Sequence, residues 1–345
     1  MRILNYNLPF GIFVILCYIC TVFVGWSYGN SYAVYVAFSV GMALFAYPVF
    51  FSKRNQLNPT VKGLLTCIAV LSIFLGFVNG DLKSPILVNI SLLMPVSLST
   101  LNITYDRLHR QVIMASLVNL LIIFVIGSNF DVWNSNSLAF MIFGGISVGM
   151  VWFKIANSTF SRVCSCGYLM LGTSLLLVSE SRNAGICIVI CFAMLLISQK
   201  FYRKLIVYRF IYVSVLLATV FATDVMISVL SDQEISEYLL SFTNSFSQKS
   251  WGMDTHYLLL QEVAYRFENR DLFAKIFGLG IKSGHTHNLF YQCLMFYGYV
   301  GTIIIYLFYV YVFERAYKLI KYKGDIMTLS CFIILIGHFL LHIGE

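Results

Sequence analysis

The stretch 205–222, LIVYRFIYVSVLLATVFA, carries a single charge, Arg209, and residues 223–287 after it form the one long polar segment of the chain. A run of that length and apolarity reads as a membrane span, because roughly 17 to 25 apolar residues cross a hydrocarbon core about 30 Å thick. Comparable runs lie on both sides of it, at 8–26, 32–51, 61–78, 85–100, 111–127, 137–153, 163–179, 183–199, 288–313 and 326–342. The run 85–100 is interrupted by Pro95 and three serines. Hydrophobic residues make up 59% of the 345 and charged residues 11%, too few charges to cover a soluble surface. Lipid offers the backbone no hydrogen-bond partners, so the spans must be helical. The expected fold is all-α: a polytopic transmembrane helical bundle of about 11–12 spans, one integral membrane domain over 1–345 with 223–287 as an extracytoplasmic loop or lid. The first run lacks a small-residue cleavage site before Ser27 and reads as a retained span.

Orientation follows from where Lys and Arg collect, because short loops rich in them stay cytoplasmic. With Arg2 inside, 16 of the 23 basic residues fall on the inner side with three acids, and 7 fall on the outer side with twelve acids. The polar stretch is therefore expected outside. The formal net charge of +8 belongs to loops facing anionic lipid head groups and gives no sign of nucleic-acid binding. All nine cysteines lie within apolar runs, which excludes a disulfide or thiolate metal site in the polar stretch. Cys164, Cys166, Cys187 and Cys191 read as small helix-packing residues.

Within the polar stretch two helices are expected, about 234–242 and from an N-cap at Asp254 to about Arg270. On the second, Glu262 and Arg266 stand four apart on one face, while Leu258, Leu259, Ala264, Tyr265 and Phe267 offer an apolar side for the membrane interface or the bundle. Gly278-Leu-Gly280 and Ser283-Gly284 then let the backbone turn back to the membrane.

Three places carry chemical potential. The junction Ser179-Glu180-Ser181-Arg182-Asn183-Ala184 leaves almost no loop between two spans, so Arg182 is either an interfacial arginine paired with Glu180 or lipid phosphate, or a bidentate phosphate ligand. His285 and His287 immediately precede a span. Each is either an interfacial histidine bonded to backbone or a general base, a role suited to an imidazole titrating near 6.5. His338 and His342 have the spacing of half a zinc motif, but Phe339 stands where the glutamate belongs. No metal or cofactor is expected. The chain has no Asp-x-Asp pair or phosphate-cradling glycine loop, which argues against nucleotide-sugar and nucleotide chemistry.

In combination, Ser181-Arg182, the long stretch 223–287, Gly278-Leu-Gly280, His287-Asn288, and Gly298 with Gly301 resemble the O-antigen polymerase and O-antigen ligase family of bacterial envelope glycosyltransferases. The resemblance covers about residues 160–315 and rests on order, spacing and sidedness. It implies a GT-C-like fold in the bacterial inner membrane with the active side periplasmic, and an undecaprenyl-diphosphate-linked oligosaccharide as donor. An acceptor hydroxyl would attack the anomeric carbon with inversion, and no metal would be needed. Membrane lipid surrounds such proteins, and a chain-length regulator protein is an implied partner.

Carried over, Arg182 would hold the diphosphate, His287 would orient or deprotonate the acceptor, and Asn288 would fix the sugar ring or the loop end. His285 would assist in binding. Relatives carry an arginine nearer the start of the loop helix than Arg266, so either His256 substitutes there or Arg266 reaches in from the far end; Arg266 could equally be half of a surface ion pair with Glu262. A count of eleven spans puts Glu345 outside, whereas relatives have even counts. Few basic residues lie outside to meet a phosphorylated lipid A core, which favours polymerase over ligase. A lipid-linked glycan flippase is the opposed reading, but no Asp, Glu, Lys or Arg falls near the middle of any span except Arg209, near the start of its run.

Overall fold

A computed structural model describes residues 59–80, 135–178, 182–231, 253–279 and 288–341. Among the described residues every regular element is a helix: α1 Pro59–Asn79, α2 Ser135–Ile155, α3 Thr159–Val178, α4 Arg182–Leu196, the single turn α5 Gln199–Tyr202, α6 Leu205–Ser231, α7 Met253–Glu268, α8 Leu272–Phe277, α9 Leu289–Lys318 and α10 Ile326–Leu341, with a π-helical turn Leu319–Lys323 closing α9. Seven of the expected spans coincide with α1, α2, α3, α4, α6, α9 and α10. The runs 8–26, 32–51, 85–100 and 111–127, and the expected helix at 234–242, lie outside the described residues.

Among the described residues three helices are long and apolar enough to cross a membrane: Pro59–Val78, Leu205–Ala222 and Leu289–Lys323. Only a third of each of the first two is buried within the protein. Their outward faces carry Val70, Ile73 and Phe77 on α1 and Phe210, Leu217 and Phe221 on α6, all exposed. So much contiguous apolar surface is a liability in water and the expected condition in lipid.

The chain divides into two compact units. The first contains α2, α3, α4 and the first half of α10. Its core is built on Ile142, Phe143, Ile146 and Met150 of α2, Leu176 of α3 and Cys187, Ile188 and Cys191 of α4. Helices α2 and α3 approach closely because Gly149 has no side chain: a Cβ there would lie 2.5 Å from the Tyr168 ring. Tyr168 donates its hydroxyl to the Gly145 carbonyl at 3.1 Å, and the Trp152 indole donates to Ser161 Oγ at 2.9 Å. Cys187 and Cys191 are buried thiols outside any disulfide, and the Cys191 thiol donates to the Ile333 carbonyl of α10 at 3.7 Å, as the packing reading expects. Three residues separate the end of α3 from Arg182, the first residue of α4, so these two helices form the tight hairpin that the sequence implies.

The second unit contains α1, α5 to α9, the π-helical turn and the end of α10. At its basic end α6 starts beside the finish of α9. Arg209 bonds Glu314 through two nitrogens, at 2.8 and 3.0 Å, and the Tyr212 hydroxyl donates to the same carboxylate at 2.7 Å. The buried Tyr208 donates to the Phe313 carbonyl at 2.9 Å, and Tyr317 to the Arg203 carbonyl at 3.0 Å. Arg209 is thus held at the edge of its span by a partner on the neighbouring helix. Further along, Thr219 and Tyr306 share a 2.6 Å hydrogen bond between α6 and α9.

Two boundaries differ from expectation. Helix α6 continues nine residues past Ala222, because Asp224 ends the apolar run without ending the helix; the polar stretch therefore begins as a helical extension. Helix α7 starts at Met253, so Asp254 lies inside its first turn instead of capping it, and α7 ends at Glu268 where Asn269 and Arg270 form a turn.

Candidate functional site

With the turn that follows it, α9 runs to 35 residues, about 52 Å at 1.5 Å per residue, far more than a core of about 30 Å requires. The excess is resolved at Gly298, whose φ of 61° and ψ of −166° break the helix. The break leaves a half-helix, Leu289–Tyr297, before it and the spanning part from Tyr299 after it.

The half-helix is anchored at its start by Asn288. That residue is 3% exposed, and its side-chain oxygen accepts from the backbone N–H groups of Phe290 and Tyr291 at 2.9 and 3.1 Å. This is a helix N-cap, which satisfies donors that the first turn would otherwise leave open.

Opposite the break sits the end of α8. Asp271 caps that short helix through a 2.8 Å bond from Ala274 N–H, and Gly278 closes it with φ 81°. The two glycines meet main chain to main chain. A Cβ on Gly278 would lie 2.2 Å from the Phe296 oxygen, and one on Gly298 would lie 2.4 Å from the carbonyl carbon of Ile276. Each position therefore requires glycine twice, for its left-handed backbone and for the space.

The Met295 carbonyl, three residues before the break, takes two donors from outside its helix: Leu279 N–H at 3.1 Å and an Arg270 guanidinium nitrogen at 2.9 Å. Arg270 is half-buried. Burial lowers its pKa from the ordinary arginine value; adjacent Asp271 works against that shift and Arg266 adds to it. Guanidinium holds its charge regardless, so the result is a cation stripped of part of its water. Among the described residues Met295 is its one side-chain hydrogen-bond partner.

Helix α7 lies over this assembly. Val263 and Phe267 are buried, Phe267 packing on Leu294 and Met295 and standing edge-on to Tyr299 with ring centroids 5.4 Å apart. Of the apolar side expected from sequence, Phe267 is buried and Tyr265 is exposed, and Val263 belongs to the buried face.

The sequence candidates separate accordingly. Arg266, in the last turn of α7, is more than half exposed and paired with Glu262, the surface arrangement that its spacing allowed. Such pairs contribute about 0.3–0.5 kcal/mol. Arg182 opens α4 and His256 lies in the first turn of α7; for both, the backbone position alone is described. His285 and His287 lie outside the described residues, as does His342. Among the described residues no group of His, Cys, Asp or Glu comes together that could hold a metal ion.

The residue missed in the sequence is Arg270. Its signal is a basic side chain directly before an Asp N-cap and a short apolar helix ending in Gly278, which places the cation at a fixed corner instead of on a free helix face. No family model, curated protein or solved structure matches the chain.

Proposed function

We propose that this protein is an O-antigen polymerase: an inverting glycosyltransferase of the bacterial inner membrane that joins undecaprenyl-diphosphate-linked repeat units on the periplasmic side. One observation supports this reading most. Gly278 of the Gly-x-Gly and Gly298 of the following helix, two separate pieces of the family resemblance, meet in one backbone crossing with a partly desolvated arginine beside it.

In the proposed reaction an acceptor sugar hydroxyl attacks the anomeric carbon of the donor glycan. The new C–O bond forms as the bond from that carbon to the diphosphate oxygen breaks, and undecaprenyl diphosphate leaves with the electron pair. His287 takes the hydroxyl proton, and His285 and His256 help hold the glycan. Arg182 carries the growing negative charge of the leaving group, a role typically worth about 3–4 kcal/mol for a single well-placed donor. Arg270 replaces Arg266 as the second phosphate contact in this reading, because its guanidinium has donors to spare and Arg266 is engaged by Glu262.

A lipid-linked glycan flippase is the second reading, favoured by the break in α9, since transporters use discontinuous helices. Those breaks lie near the bilayer midplane, however. Gly298 stands 17 residues from Arg315, about 25 Å along a helix, which puts this break close to the far edge of the core.

Purified protein in vesicles supplied only with lipid-linked repeat units distinguishes the readings. Lengthening of the glycan is expected. Transfer that requires added lipid A core indicates a ligase, and no glycosidic product at all supports a flippase. Arg182→Ala and His287→Ala are each expected to abolish long chains while leaving the protein in the membrane; normal chain-length ladders from both variants would end the catalytic reading.

A further inference from the structure

Helix α8 carries two large exposed apolar side chains: Leu272 is 73% exposed and Phe273 is 46% exposed. Two membrane-crossing helices of the same unit report the depth at which α8 sits. Phe273 meets Phe74 of α1, ring centroids 6.4 Å apart, and Phe74 precedes the last span residue, Val78, by four positions, about 6 Å along the helix. Gly278 at the other end of α8 crosses α9 at Gly298, about 25 Å above Arg315. A Cβ on Gly301 would lie 2.8 Å from the Leu71 side chain, so α1 and α9 run past each other in a register that puts Phe74 and Gly298 at one level. Both helices thus give the same answer: the two ends of α8 lie a few ångströms inside a core of about 30 Å, on the side away from the basic end.

We propose that α8 is a membrane-dipping element, lying flat in the leaflet opposite the basic end with Leu272 and Phe273 among the acyl chains. It rests on α1 and α9 spanning the membrane and not on the enzymatic reading. Three features fit a lipid partner. The apolar arc of α8, Leu272, Phe273, Ile276 and Phe277, is continuous through Phe74 with the exposed lipid-facing side of α1. Asp271 and Lys275, four apart, form the opposite polar edge, placed to reach the head groups. Backbone N–H groups at both ends of the segment find acceptors within the protein, as chain at membrane depth requires. Asp271 accepts from Ala274 N–H, Gly278 N–H donates to Ala274 O at 2.8 Å, and Leu279 N–H donates to Met295 O.

The unsubstituted protein tests this. In phosphatidylethanolamine and phosphatidylglycerol vesicles, an apolar aryl diazirine dissolved in the bilayer is photolysed and the protein is digested with trypsin. Cleavage after Arg270 and Lys275 releases residues 271–275, which hold both exposed side chains. Carbene labelling of that peptide is expected to match, per residue, that of the α1 peptide 63–83 and to exceed that of peptide 250–266 from α7 about tenfold. Labelling no greater than that of 250–266 overturns the proposal. So does labelling that appears only after dilution or detergent separates associated copies, because the face would then be a contact between chains.

Discussion

The two ends of the second unit hold their helices together by opposite means. At the basic end the ties are side chains: Arg209 and Tyr212 on Glu314, Tyr208 on the Phe313 carbonyl, Tyr317 on the Arg203 carbonyl. At the Gly278–Gly298 end the ties are chiefly main chain, with Leu279 N–H on the Met295 carbonyl and two backbones in contact where no Cβ fits, and the Arg270 guanidinium adds a side-chain bond to the same carbonyl. A side-chain tie can be trimmed one bond at a time and the helices can re-pack. A main-chain crossing has no side chain to yield, so it either forms or is lost. The first arrangement suits a structural clamp, and the second suits a place where geometry must be reproduced closely.

Gly298→Ala should break this contrast most severely. It combines a left-handed φ with a 2.4 Å approach to Ile276, and a loss of more than about 3 kcal/mol is expected. Thermal unfolding in detergent should show the largest fall in midpoint of any single substitution described here, with polymer formation lost in parallel; a midpoint near that of the parent would refute the crossing.

Next in size is Arg270→Ala, which removes a charged donor from Met295 and, in the proposed reaction, a phosphate contact. About 1–3 kcal/mol is expected. Arg266→Ala should stay within about 0.5 kcal/mol in stability and leave chain length unchanged. Equal effects from the two arginines would remove the reason for preferring Arg270.

Asn288→Ala should cost about 1 kcal/mol through the lost cap, and Asn288→Asp should recover most of it. If Asn288 also holds the sugar ring, KM will rise in the aspartate variant although stability returns, so steady-state kinetics on both variants separates the cap from the contact. Comparable in stability, but without an effect on the reaction, is Tyr208→Phe at the basic end. It removes one buried hydroxyl bond, worth about 1 kcal/mol, and should leave activity intact in the same elongation assay.

Helix existence was legible in the long apolar runs of the described chain, because such runs in a membrane have one backbone solution, while the short helices α5 and α8 were not foreseen. The break in α9 was not. Run 288–313 reads as a single span because hydropathy is blind to a backbone torsion, and Gly298 looks like any small residue on a packed helix until Ile276 is found against it. The end of α6 was misjudged for a related reason: a charge such as Asp224 marks where lipid stops, and a helix has no obligation to stop there. Arg266 drew attention through its spacing from Glu262, a local pattern that sequence reveals readily. Arg270 owes its position to Met295, 25 residues away, and no local pattern encodes that contact.

The meeting of Gly278 and Gly298 also bears on how this chain can change by descent. When two side chains collide, a smaller residue at one site commonly rescues a larger one at the other, and the two drift together. Here each missing Cβ faces the main chain of the other strand, which every amino acid carries. No second substitution at the partner can make room, so each glycine stands under its own constraint.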